Sequence, residues 1–206
     1  MSSVPAQSQA VHKDYEGSKL GMWLFLFTEI ILFGGLFLLY SAYRARYTAD
    51  FHHGGQHLNT FIGVANTIIL LTSSLTMALA VSALQRANRK LTLNCLGITI
   101  AFGFLFLVDK YIEWSEEIAK GLYPNGPELL KLPNGEKIFY GLYYAMTGLH
   151  GLHVVAGIVV LLIIWNSVRV SRITPTDFNK LENAGLYWHL VDVIWIFLLP
   201  LLYLSA

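Results

Sequence analysis

Glu29 is a carboxyl set among Phe25, Leu26, Leu32 and Phe33, with no Lys or Arg within a helical turn. Two further pairs stand three residues apart: His150 with His153, and His189 with Asp192, the second flanked by Tyr187, Trp188 and Trp195. Asp109, Lys110 and Glu113 make a third polar group. A spacing of three puts both members of each pair on one face of a helix. Imidazoles and carboxylates in this number are the donor set of a carboxylate–histidine metal cluster. A lone carboxyl in an apolar run can equally handle a proton or contact a ligand. The plainer reading of every one of these residues is a hydrogen bond between neighbouring helices.

The elements that must position them lie in a membrane. Asp, Glu, Lys and Arg make up 13% of the 206 residues and the hydrophobic types 55%, where a soluble domain carries about 25% charged residues. Five apolar runs, 20–43, 60–84, 93–114, 139–165 and 186–204, each have the roughly 20 residues that a helix needs to cross about 30 Å of hydrocarbon. They are continuously apolar, which excludes the alternating strands of a barrel. The expected fold is an all-α, polytopic bundle of five transmembrane helices over 19–206, preceded by a flexible tail, 1–18. The first run reads as a crossing and not as a cleaved signal, because no small-residue site follows it. A net charge of +1 offers no field for nucleic acid. The single Cys95 excludes an intrachain disulfide.

Depth argues against one metal site. By helical rise, Glu29 lies about 13 Å into its crossing, Asp192 about 9 Å above one boundary and Glu113 near the other. Asp192 and Glu113 are then separated by on the order of 20 Å, against metal–ligand bonds of roughly 2 Å. Glu29, His153 and Asp192 remain compatible in depth. The boxes of closely spaced histidines that membrane iron enzymes use are missing, and no pair demands haem. No metal and no catalytic residue is expected in the chain. Asn66 and Thr67, with Thr72, Ser73, Ser74 and Thr76, form a stripe expected to face protein. Trp23, Tyr40, Tyr43, Trp114, Tyr187 and Trp188 fall near run ends and are expected to anchor at the headgroups.

Eight Lys and Arg fall on the side of the N-terminus and of the links 85–92 and 166–185. The six on the other side are diluted by Asp50, Glu116, Glu117, Glu128 and Glu136. The N-terminus is therefore expected in the cytoplasm and the C-terminus outside, in a bacterial inner membrane. The Pro, Asn and Gly residues at 124–127 and 133–135 predict that the loop 115–138 folds back on itself. Thr174-Pro175-Thr176-Asp177 predicts the start of a short helix before the last crossing.

Thr147-Gly148-Leu149-His150-Gly151-Leu152-His153-Val154, together with the stretch from Tyr187 to Trp195 that contains His189 and Asp192, closely resembles the signature of subunit III of haem–copper terminal oxidases. Thr28-Glu29-Ile30-Ile31-Leu32-Phe33, the Asn66-Thr67 helix and the Glu113-Trp114 region extend the resemblance from about Leu20 to the C-terminus. The resemblance implies a non-catalytic subunit packed against a subunit I that bears haem and copper, in a complex that reduces dioxygen to water and pumps protons. It implies subunit II, a respiratory supercomplex and membrane lipid as further neighbours, and bound phospholipid as the chain's own ligand. Glu29 stands where the family has a carbodiimide-reactive carboxyl linked to proton uptake. His150, His153, Trp188, His189 and Asp192 carry over as motif positions adjoining the family's lipid cleft. The first two helices of seven-helix members are expected to be missing, as in shorter bacterial members, so that another subunit or lipid closes the cleft. The helical signatures are shared with an accessory subunit found beside nitric oxide reductases. From a different class, a free-standing membrane metalloenzyme would use the same His and carboxylate residues.

Overall fold

The computed structural model describes residues 15–204, and residues 1–14 of the expected tail lie outside them. The described residues form six α-helices in the order α1 Tyr15–Arg46, α2 Thr48–Gln56, α3 Thr60–Gln85, α4 Arg89–Ala119, α5 Asn134–Arg169 and α6 Asn179–Leu199; a wider turn at Pro200–Leu204 continues α6. Five of these helical stretches are long and apolar enough to cross a membrane. Every crossing falls on an expected run, but most helices overrun it. α1 begins at Tyr15 rather than Leu20, α4 continues to Ala119, and α5 begins at Asn134. A hydropathy run marks where hydrocarbon ends, whereas a helix goes on while its backbone pairs internally.

α3 and α4 are the most extensive neighbours, and α6 packs on α3 and α5. α6 is the most buried span and α1 the least; Leu20, Trp23, Leu24, Phe27, Ile30, Ile31 and Leu38 of α1 are exposed. Outside water, an apolar side chain facing outward carries no penalty, so composition alone does not tell an inner helix from an outer one.

The α3–α4 link is a tight turn. Ala87 takes a left-handed conformation at φ 59°, Asn88 N–H reaches back to Ala83 O at 2.9 Å, and the Asn88 side chain then caps α4 through Leu91 N–H at 3.1 Å. Such a wrap satisfies the carbonyls orphaned at one helix end and the donors orphaned at the next. α2 has no counterpart in the expected fold. It lies at the end of the bundle where α4 finishes and α5 starts, called here the α2 end. Phe51 packs on Tyr40 and Phe139 with ring centroids 5.2 and 5.6 Å away. Asp50 Oδ2 accepts Gly135 N–H at 3.1 Å, placing a carboxylate at the donor-rich start of α5.

The loop after α4 folds back as expected: Leu129 N–H bonds Gly121 O at 3.3 Å, Leu130 N–H bonds Gly126 O at 3.0 Å, and Leu129 is buried. The separate helix expected from Thr174 is not formed. Thr174 and Asp177 pair across a bridge, and the polar residues after Asn179 are the first turns of α6 itself.

Candidate functional site

α1 meets α5 in a polar pair. His153 Nε2 and Glu29 Oε2 are 2.9 Å apart, at side-chain exposures of 16% and 13%. His153 Nδ1 lies 2.8 Å from Leu149 O. A carbonyl only accepts, so Nδ1 carries a hydrogen. The contact between Nε2 and Oε2 then holds one further proton, on the imidazole or on the carboxyl. Phe33 stands edge-on to the imidazole at 5.4 Å, and Tyr187 donates to His153 O at 3.0 Å. The pair thus shares one proton across a single contact, with the other imidazole nitrogen held by Leu149 O, between the bundle and the least buried helix.

The remaining motif residues go elsewhere. His150 is fully buried and its ring nitrogens have no hydrogen-bond partner among the described residues; Phe106 and Trp195 hold the imidazole with ring centroids 5.4 and 5.3 Å away. His189 Nδ1 pairs with Ser74 Oγ at 2.6 Å. Asp192 is 2% exposed and lies within hydrogen-bonding reach of Ser74; Asn66 is fully buried, and its side chain has no hydrogen bond among the described residues. Trp188 donates to Ser73 Oγ at 3.0 Å. A Cβ built on Gly103 or on Gly157 would stand 2.8 Å from its ring, so two glycines make the slot that the indole fills. Gly151 faces open space. The headgroup expectation is therefore corrected for Tyr40, Tyr187 and Trp188, which are buried core, and holds in exposure for Trp23 and Tyr43. Interior polar neighbours such as Ser73 give an indole the same satisfaction that headgroups would.

Glu113 belongs to a second constellation. Lys110 Nζ donates to Glu113 Oε2 at 3.0 Å and to the Tyr203 hydroxyl at 2.7 Å. The hydroxyls of Tyr143 and Tyr203 both donate to Glu113 Oε1 at 2.5 Å. Lys110 lies over the rings of Trp195, Tyr143 and Tyr203 at 5.1–5.4 Å. The i, i+3 spacing of Lys110 and Glu113 is visible in sequence. Tyr143 and Tyr203 carry no such signal, because they meet the pair only through the packing of α5 and of the turn at Pro200–Leu204.

Among the described residues no three of His, Cys, Asp and Glu converge as a metal site. Glu29 and His153 do come together; Asp192 and Glu113 stand with other partners.

These features define a polytopic helical membrane protein in which several buried or half-buried ionisable groups, Glu29, Glu113 and His189 among them, meet side chains of neighbouring helices. The family model described as "Cytochrome c oxidase subunit III" matches residues 5–206. Cytochrome c oxidase subunit 3 of Synechocystis sp. is 32% identical over 97% of this chain and 81% of its own length. The subunit of the same name in Alkalihalophilus pseudofirmus is 31% identical over 98% and 94%. Cytochrome bo(3) ubiquinol oxidase subunit 3 of Pseudomonas putida is 30% identical over 94% and 88%. The chain belongs to the cytochrome c oxidase subunit III family.

Proposed function

We propose that this chain is the non-catalytic third subunit of a proton-pumping haem–copper terminal oxidase in a bacterial inner membrane. In this reading its N-terminus lies in the cytoplasm and its α2 end faces the outer aqueous phase. It packs against subunit I, with subunit II and a respiratory supercomplex as further neighbours. Haem and copper are held by the partners, and the electron donor is theirs to choose. Relatives named for cytochrome c and for ubiquinol oxidases support that division of labour.

The observation that carries the reading is the hydrogen bond between Glu29 and His153. The pair accepts or releases one proton without moving a helix, because Leu149 O fixes the other imidazole nitrogen. Its place at the α1–α5 seam sets that proton close to whatever covers the exposed flank of α1. Subunit I and ordered phospholipid are the proposed cover, and the pair keeps proton supply to subunit I fast enough that the active site survives turnover.

The test uses the intact complex with Glu29→Gln and, separately, His153→Gln. Normal assembly with a shortened turnover lifetime or a lowered proton stoichiometry is expected for both. Assembly, lifetime and stoichiometry all unchanged would leave Glu29 as packing only.

A further inference from the structure

The α2 end holds a second group of buried polar side chains that the proton pair at Glu29 does not use. Residues 110, 113, 114 and 117 of α4 recur at helical spacing on one face, as do 136, 140, 143 and 144 of α5. The two faces meet: Tyr143 bonds Glu113, and Trp114 and Tyr144 lie ring to ring at 5.2 Å. Glu113, Glu117 and Glu136 are 3%, 3% and 5% exposed. Among the described residues each has one Lys or His partner, respectively Lys110 at 3.0 Å, Lys120 at 2.7 Å and His53 at 3.1 Å.

What those partners leave over is concentrated. Trp114 Nε1, Glu117 Oε2, Glu136 Oε2 and the hydroxyls of Tyr140 and Tyr144 are all buried without a hydrogen-bond partner among the described residues. The Tyr140 hydroxyl lies within electrostatic reach of Glu117, Glu136 and Tyr144, and Tyr144 within reach of Glu113 and Glu117. Left dry, each such group forfeits its hydrogen bonds to water for nothing. Beside them, a cavity of about 300 Å³ is lined by Glu136, Tyr140, His53, His57, Lys120, Glu128 and others. A site that is polar and roomy is one that water enters. Glu128 is already paired to Lys131 at 2.7 Å, so it does not answer the unpaired oxygens.

We propose that the α2 end contains a hydrated chamber through which Glu117, Glu136 and the Lys110–Glu113 pair exchange protons with the adjoining aqueous phase, His53 standing at its mouth. Water bridging Glu136, Tyr140 and Glu117 supplies the missing hydrogen bonds and leads to Tyr143 and Tyr203, whose hydroxyls already touch Glu113. His53 suits the mouth because its side chain is 57% exposed while its ring nitrogen touches buried Glu136. A resident metal fits these residues less well, since no three ligand groups converge among the described residues. The inference does not rest on membership of an oxidase.

Two measurements on the full-length chain, purified with its accompanying subunits and returned to liposomes, decide it. In the first, ordered water is radiolysed by an X-ray pulse and side-chain oxidation is read by mass spectrometry. Tyr140 is expected to oxidise at a rate comparable to Tyr123 in the exposed loop, and Trp188, equally buried, at least an order of magnitude more slowly. Tyr140 as inert as Trp188 means a dry chamber and overturns the proposal. In the second, deuterium exchange is followed in the infrared, and the Glu113–Tyr143–Tyr203 bands are identified by their loss in Glu113→Gln. Exchange is expected to slow by about an order of magnitude in Glu136→Gln. It is also expected to slow measurably in His53→Phe, a change at a half-exposed position. Exchange as fast as wild type in both variants removes the proton route, even with water present.

Discussion

Replacing Lys110 by Met keeps the length and apolar stem of the side chain and removes its charge. Glu113, 3% exposed, would keep its two tyrosine donors and lose the one cation that pairs with it among the described residues. At 3.0 Å and an effective dielectric of about 20, the lost attraction is about 5.5 kcal/mol before solvation is counted. Removal of one partner of a buried pair elsewhere costs about 3–5 kcal/mol. The Lys110→Met chain is therefore expected to lose about 3–5 kcal/mol, towards the lower figure where chamber water reaches Glu113. Adding Glu113→Leu removes the stranded charge and leaves two tyrosine hydroxyls without an acceptor, at about 1 kcal/mol each. The double variant should thus recover to a net loss of about 2 kcal/mol. Reversible unfolding in mixed micelles, followed by tryptophan fluorescence, measures both, because Trp195 lies 5.1 Å from Lys110. A single variant that loses under about 1 kcal/mol, or a double variant no more stable than the single, would refute the reasoning.

Trp188→Phe deletes the donor to Ser73 and leaves part of the indole's slot empty; it should cost about 2–3 kcal/mol in the same unfolding assay. Gly157→Val puts a side chain where a Cβ already stands 2.8 Å from Trp188, and the overpacking should cost about 1–3 kcal/mol and lower the melting temperature. Asp50→Ala leaves Gly135 N–H without its acceptor and should cost about 1 kcal/mol, read as faster amide exchange confined to the first turn of α5.

The five crossings were legible because desolvation of the backbone leaves one spanning solution per apolar run, and hydropathy reports that desolvation directly. The pairing of Glu29 with His153 was legible only as compatibility in depth; the side chains meet because α1 settles against α5, and no local pattern encodes that choice. α2 was missed because Thr48–Gln56 is polar and includes two adjacent glycines. Its helix is made by burial of Phe51, Gly54 and Gly55 under α5, which is tertiary context overriding propensity. Trp188 was misread for a related reason. A ring near a run end suits headgroups and core equally, and Gly103 and Gly157, distant in sequence, decide for the core by leaving room. Glu117 and Glu136 were legible as loop charge, and their burial is not written in any local window, since the loop at 120–132 folds back beside Glu136 and Tyr140.

The proton role proposed for Glu29 and His153 can be weighed against adhesion by magnitude. Hydrogen bonds between membrane helices contribute about 0.6 kcal/mol on average, while an ionisable residue at membrane depth costs roughly 2.5–3.5 kcal/mol to insert. As glue, the pair is a net loss, and an apolar residue at Glu29 packed on Phe33 would hold α1 better. The other polar ties of α1 lie towards its ends: Lys19 to Glu182 at 3.0 Å, Ser18 to Asn183 at 3.1 Å, and the Tyr40 hydroxyl to Leu201 O at 2.6 Å. Those ends are where attachment is inexpensive, because water and headgroups share the solvation. A carboxyl retained in the middle, where attachment is costly, and matched to an imidazole with a fixed tautomer, is the arrangement expected of a group that holds a proton for a neighbour. Glu29→Leu combined with His153→Phe should then leave the subunit as stable as wild type or more so, while the oxidase it serves loses turnover lifetime. A double variant that is both less stable and unimpaired in lifetime would return the pair to packing.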